Sequence, residues 1–182
     1  MTAGSSGPDP RTKVWRRQLR AIALLPGMVA VVVPGVLVLV YGADPGLGWP
    51  APASLLPVLA GLALILFGLR LWLQTIRLFV EVGEGTLAPW DPPRNFVVRG
   101  PYRRVRNPMI SSLGFIILGE AVLLGSPSIL VLFAGFAVTN GSYIPLIEEP
   151  GLLRRFGDRY RAYRRAVPRW IPRREPWTPE EG

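Results

Sequence analysis

Two short stretches carry residue types that could do chemistry. The first, Tyr102-Arg103-Arg104-Val105-Arg106-Asn107-Pro108-Met109-Ile110, offers three guanidinium groups, a phenol and an amide at the entry to an apolar run. The second is Glu148-Glu149-Pro150, where a later apolar run ends. Adjacent carboxylates there serve a cation or sugar hydroxyls, or else simply favour the positive end of a helix with proline in its first turn. The arginines are similarly ambiguous: they bind a carboxylate or phosphate, or act as topogenic charges and anionic-lipid contacts. The chain contains no His and no Cys. Their absence removes disulfides, thiolate metal sites, Cys nucleophiles and the commonest general base near neutral pH. No metal centre is expected, and no side chain is singled out as a catalytic acid, base or nucleophile. Chemistry must run through carboxylates, Arg, Tyr, backbone groups or a bound cofactor.

The elements that position these residues are apolar spans. The chain has 182 residues, is 49% hydrophobic and has a mean hydropathy of +0.31, which excludes a disordered tail and argues against an ordinary soluble globule. A net charge of +9 would suggest nucleic acid in a soluble protein, but the basic residues sit between apolar spans, so the expected partner is membrane lipid and not nucleic acid. Spans are read at 21–41, 54–73 (extending toward Val80), 109–124 and 128–147. The first follows Arg11, Lys13, Arg16, Arg17 and Arg20, and its apolar length exceeds the roughly 7–15 residues of a signal-peptide core, so it reads as a retained helix. The fold class is therefore all-α: a polytopic membrane protein with about four transmembrane helices. No Lys or Arg lies in 42–53 or 125–128, whereas the N-terminal segment, the 77–106 stretch and the tail are Arg-rich. The positive-inside rule then puts both termini and the central loop in the cytoplasm; 20 of the 21 basic residues are Arg, compatible with a GC-rich bacterial coding sequence, so the expected location is a bacterial inner membrane. Residues 1–20 form a basic cytoplasmic segment, 21–172 one membrane domain and 173–182 a tail, the two ends reading as poorly ordered and without catalytic signal.

Within the spans, Arg70 reads as a charge that snorkels to the headgroups, and Glu120 as either a hydrogen-bonded packing group or a functional acid. The link Gly125-Ser126-Pro127-Ser128 makes spans three and four a tight antiparallel hairpin. Small residues along both of them (Ser112, Gly114 and Gly119; Gly135 and Gly141) suggest close backbone approach. The loop from Glu81 to Pro108 holds five prolines and cannot be one helix. Its length and aromatics point to a functional segment. Beyond Pro150, Leu152, Leu153, Phe156, Tyr160, Tyr163 and Val167 share an arc of about 100° on a helix, most arginines falling outside it. This is an interfacial helix with an apolar underside, acting either as a plain anchor or as a lid; Gly157 is its weak point.

Three blocks give the sequence a resemblance to a known family. They are V-V-R-G-P-Y-R-R-V-R-N-P-M-I (Val97 to Ile110), the pair Glu148 and Glu149, and L-L-R-R-F-G-D-R-Y-R-A-Y-R-R-A-V-P-R-W-I-P (Leu152 to Pro172). In this order around a hydrophobic hairpin they resemble the isoprenylcysteine carboxyl methyltransferases, integral-membrane enzymes related to phospholipid N-methyltransferases and more distantly to sterol reductases. The resemblance covers 87–172 and implies that this region holds S-adenosyl-L-methionine. By it, Arg94, Asn95, Phe96, Val97 and Val98 border the cofactor, Tyr102 packs against or hydrogen-bonds it, and Asn107, Pro108, Met109 and Ile110 fill the family's H-P-x-Y positions. Glu148 becomes the cofactor-binding acid with Glu149 beside it, and Arg106 pairs with the cofactor carboxylate or a lipid phosphate. The implied activity is methyl transfer to a lipid-borne or hydrophobic carboxylate or amine at the cytoplasmic face. The sequence departs from the family at Asn107 (usually His), at Ile110 (usually Tyr) and at Ile144, where the eukaryotic prenylcysteine enzymes carry an Arg. The alternatives are a non-catalytic membrane module that binds anionic lipid or a partner, and an NADPH-dependent reductase.

Overall fold

The computed structural model describes residues 26–78, 81, 96 and 98–178, and among these the regular structure is entirely helical. Helix α1 spans Met28–Tyr41. It opens as a wide π turn, Met28–Val32, in which the Val33 N–H reaches back to the Met28 carbonyl. Pro34 stands in the following turn and has no N–H to donate, so the widened turn takes up the mismatch. Helix α2 is Leu55–Leu78 and ends with Arg77 in its last turn, where a cation suits the negative end of the helix dipole. Helices α3 (Pro108–Leu123) and α4 (Pro127–Tyr143) both start on proline, the residue whose missing N–H costs nothing at a helix start. A second π turn, Ile144–Glu148, again contains a proline, Pro145, and leads into α5, Glu149–Ala166. Gly157 interrupts α5 with φ 53° and ψ −128°, a backbone position that glycine reaches without a Cβ clash.

The closest packing in the bundle is between α2 and α3, which run antiparallel along a seam of small residues. A Cβ on Gly61 would lie 2.6 Å from the Leu123 nitrogen, one on Gly68 would lie 2.7 Å from the Ser112 carbonyl oxygen, and one on Gly119 would lie 2.8 Å from the Gly61 carbonyl oxygen. These spacings leave room for hydrogen only, so the two backbones touch. The hairpin between α3 and α4 is different. Gly135 and Gly141 have no atom within 4 Å of a built Cβ, and Gly114 meets only ring carbons of Phe133 and Phe136 at ordinary contact distance. The small residues of α4 therefore do not produce the close approach expected of them; the seam belongs to α3 and α2. Helix α1 completes the bundle, with Ala30 packing on Leu113 and Ile116 and with Val29, Leu37 and Val38 on Ile117 and Ile129.

At one end of the bundle the α1–α2 loop docks on the α3–α4 turn, the Asp44 N–H donating to the Leu124 carbonyl at 2.8 Å. By length and composition, two helices among the described residues suffice to cross a membrane: Leu55–Leu78 and the continuous Pro127–Ala166 made by α4 and α5. Met28–Tyr41 and Pro108–Leu123 are shorter apolar helices. At 16 residues, α3 is about 24 Å long, less than the roughly 30 Å of a hydrocarbon core. The apolar arc expected on α5 exists, but protein covers it: Tyr160, Tyr163 and Val167 form a core with Leu152, Leu153 and Phe156, closed by Phe96, Val98 and Trp177. An apolar underside turned to lipid is thus not what this helix has.

The seam makes a direct prediction. Gly119→Ala and Gly61→Ala each force the helices apart and should lower stability in detergent by about 1–3 kcal/mol. Gly135→Ala, in open space, should leave the denaturation midpoint unchanged. Equal effects at all three positions would show that the α2–α3 contact does not hold the bundle.

Candidate functional site

A carboxylate removed from water needs compensating charge, and Glu149 receives it from three sides. Its side chain is 3% exposed; Arg106 Nη1 donates to Oε1 at 2.7 Å, Arg169 Nε to Oε1 at 2.8 Å, and Arg164 Nε lies 3.5 Å from Oε2. Arg169 also donates from Nη2 to Oε2 at 3.1 Å, giving the two-pronged geometry that makes Arg–carboxylate pairs strong. Burial works to raise the carboxyl pKa, but the Arg169 hydrogen bond and the charges of Arg106, Arg169 and Arg164 outweigh it and bring the pKa below its ordinary value. The charge is tied to structure on every side. Arg106 stands just before α3, Glu149 opens α5, Arg164 lies in its last turn and Arg169 follows the helix.

Backbone contacts reinforce the same junction. The Arg106 N–H donates to the Pro168 carbonyl at 2.9 Å, and Asn107 Nδ2 reaches the Arg169 carbonyl at 3.4 Å. Tyr163 donates its hydroxyl to the Tyr102 carbonyl at 2.7 Å. The Tyr102 phenol has its pKa raised, first by burial and then by the charges of Tyr163 and Glu148, which puts Glu148 within electrostatic reach of Tyr102. Phe96 stacks on Phe156 at 5.2 Å and meets the edge of Tyr163 at 5.1 Å. The chain beyond α5 is built into this unit: the Arg173 N–H donates to the Arg104 carbonyl at 3.0 Å, and the Trp177 N–H to the Arg103 carbonyl at 2.8 Å. Arg103 returns the contact through Nε to the Trp177 carbonyl at 2.7 Å and through Nη2 to the Thr178 hydroxyl at 2.6 Å.

The predicted site residues divide as follows. Arg94, Asn95 and Val97 lie outside the described residues. Phe96 and Val98 pack into the core under α5. Pro108 is fully buried and Asn107 caps α3 without a side-chain cap bond. The Met109 carbonyl accepts the Ser112 hydroxyl at 2.6 Å. Ile110 turns toward a cavity between the helices. Glu148 is exposed, while Glu149 is buried and engaged by its arginines. Arg106 joins them, and its Nε is buried with no hydrogen-bond partner among the described residues. Arg103 and Arg104 hold the segment 173–178, and for these residues this corrects the expectation of a poorly ordered tail. Sequence reasoning missed Arg164 and Arg169 as partners of Glu149. The signal for them was the general one that a buried acid requires basic partners nearby.

An apolar cavity of about 450 Å³ adjoins this junction, within the size range of small-molecule sites. Its inner wall is α3, flanked by α2 and α4, and Trp170 and Pro172 from the segment after α5 close its near end.

The class defined by this arrangement is a protein helical throughout its described regular structure, with apolar helices of membrane-crossing length and an Arg–Glu junction where α3 and α5 begin. The chain belongs to the phospholipid methyltransferase family, whose pattern matches residues 56–159, more than half of the sequence. Membership implies methyl transfer by a membrane protein with a lipid as substrate. No curated protein and no solved structure matches the chain.

Removing the central acid should be costly, because Arg106 is then buried without counter-charge. Glu149→Ala is expected to lose about 3–5 kcal/mol in denaturant titrations. Because the folded-state pKa of Glu149 lies below the unfolded one, its contribution is complete above the ordinary carboxylate range and is lost as pH falls through the folded value. Stability of the wild type measured from pH 7 downward should therefore fall more steeply than that of Glu149→Gln. Parallel curves would remove Glu149 from the role given to it here.

Proposed function

We propose that this protein transfers a methyl group from S-adenosyl-L-methionine to a lipid-borne or hydrophobic carboxylate or amine at the cytoplasmic face of a bacterial inner membrane. In this reading the four apolar helices are four crossings, α1 and α3 being the short ones, with both termini and the loop before α3 cytoplasmic. The observation that carries it is the 2.7 Å pair between Arg106 and Glu149, which joins the stretch entering α3 to the acid pair leaving α4. Two of the three blocks that carry the family resemblance are in contact through this pair, which supports reading them as parts of one site.

The residues fit a cofactor that is cationic at sulfur and carries both carboxylate and ribose. Glu148, exposed beside Tyr102, offers a carboxylate to the cation or the ribose hydroxyls, and Arg106 has an N–H without an acceptor for a carboxylate. Arg94, Asn95, Phe96, Val97 and Val98 are the remaining proposed border, with Asn107, Pro108 and Met109 at the entry to α3. When bound, the cofactor supplies a methyl group already activated for in-line displacement. The chain's own part is to orient the acceptor and exclude water, roles suited to a protein without His or Cys. Glu149 acts through its arginines and is a positioning residue. A prenylcysteine acceptor finds no support at Ile144, which is apolar and 1% exposed, so no guanidinium for an acceptor carboxylate stands there.

Isothermal calorimetry on detergent-purified protein tests this reading with S-adenosylhomocysteine. The wild type should bind, Glu148→Ala should bind about tenfold more weakly or worse, and Tyr102→Phe should show a smaller loss. A folded wild type with no binding, and with anionic-lipid binding that falls with salt and ignores Glu148→Ala, would favour the non-catalytic alternative.

A further inference from the structure

We infer that Gly157 is a positioning residue for the proposed methyl transfer: its backbone folds α5 back on itself, and the returning arm, through Arg164 and Arg169, fixes Glu149 and with it the outward direction of Glu148. The inference rests on the cofactor reading for its link to methyl transfer, but the fold-back stands on its own geometry.

Helix α5 cannot be one straight rod. Along an unbroken helix Arg164 would stand about 22 Å from Glu149, farther than the two side chains reach. Yet Arg164 Nε lies 3.5 Å from Glu149 Oε2, and Arg169, beyond the end of the helix, donates to the same carboxylate at 2.8 Å. The chain returns at Gly157, which leaves the helix with φ 53° and ψ −128° between two helical arms. The apolar faces of the arms close on each other: Leu152, Leu153 and Phe156 of the first meet Tyr160 and Tyr163 of the second in one core. Phe96 touches both arms, stacked on Phe156 at 5.2 Å and edge-on to Tyr160 at 5.8 Å and to Tyr163 at 5.1 Å. From the second arm Tyr163 also donates to the Tyr102 carbonyl at 2.7 Å. One bend therefore serves both halves of the proposed site, the acid pair where α5 begins and the backbone at Tyr102.

The bend needs glycine for its backbone hand and not for space. A φ of 53° with ψ −128° is the mirror image of the extended conformation that L residues favour, so glycine or a D residue adopts it and an L residue is strained. A Cβ at Gly157 would meet no atom within 4 Å. Gly151, in the first arm, is equally open but has no positive φ, which makes it the matched control.

The chain has no Cys, so spin labels go only where cysteines are introduced. Leu146→Cys paired with Arg165→Cys, both exposed, spans the bend; an unbroken helix would separate them by about 28 Å. Double electron–electron resonance in nanodiscs should give a distance several ångströms or more below that value, moving toward it in Gly157→Ala. Leu56→Cys with Val131→Cys, outward on the bundle, should keep its distance as a folding control. By calorimetry, S-adenosylhomocysteine should bind about tenfold more weakly or worse to Gly157→Ala and unchanged to Gly151→Ala. Semisynthesis that places d-alanine at position 157 should restore the short distance and the binding. An unmoved distance or an unchanged affinity in Gly157→Ala, an equal loss in Gly151→Ala, or d-alanine that fails to restore binding would each overturn the assignment. Where Gly157→Ala does not fold, the d-alanine protein decides: the short distance with wild-type affinity supports the role, and loss of either overturns it. A wild type that binds no S-adenosylhomocysteine, yet shows the short distance and its lengthening in Gly157→Ala, sinks the cofactor reading and supports the fold-back as the device that closes the Arg–Glu junction.

Discussion

The interaction on which the rest depends is the burial of one carboxylate among three guanidinium groups. Glu149 is the first residue of α5, and its partners come from the stretch before α3, from the last turn of α5 and from the segment beyond it. A charge in such a place is tolerated only when its partners arrive together, because an isolated buried ion costs several kcal/mol that no single pair recovers. The junction therefore couples segments that are far apart in sequence, from Arg106 to Arg169, and it does so where the apolar helices give way to the polar half of the molecule. Placing Glu148 beside Tyr102, with the free carboxylate of the pair turned outward, follows from fixing Glu149 inward.

A second constraint shapes the apolar half. Glycines on α2 and α3 let two backbones touch, and a helix drawn fully to one neighbour cannot close equally on the other. The slack appears between α3 and α4 as a cavity that reaches the charged junction. One geometry thus accounts for both the charged junction and the apolar cavity beside it. The aromatic core under α5, with Phe96 among Phe156, Tyr160 and Tyr163, anchors the loop end to the same frame.

Much of the helical framework was legible in the sequence because it is local. Apolar length, prolines at helix starts and glycines at turns act over a few residues, so the bounds of α2, α3 and α4 lie close to those read from composition. The apolar arc of α5 was likewise visible as a periodicity. What covers that arc was not: Phe96 and Trp177 reach it from positions on either side of the helix in sequence, and no periodic signal names a partner. The same holds for the tail, whose arginines look like solvent-facing charges until the Arg103 and Arg104 carbonyls are seen to bind it.

By itself, then, the sequence determined the all-helical class, the membrane-like apolarity, the two chemical stretches and the family resemblance, since each depends on residue type, period or order along the chain. Only the tertiary structure decided that Glu149 is held by arginines while Glu148 is left open, that the small residues of α3 serve α2 and not α4, and that Ile110 faces an apolar cavity. Those outcomes depend on which surfaces meet in space. Burial and counter-charge are set by neighbours tens of residues away, and identical side chains in adjacent positions, such as the two glutamates, take opposite roles once one of them faces inward.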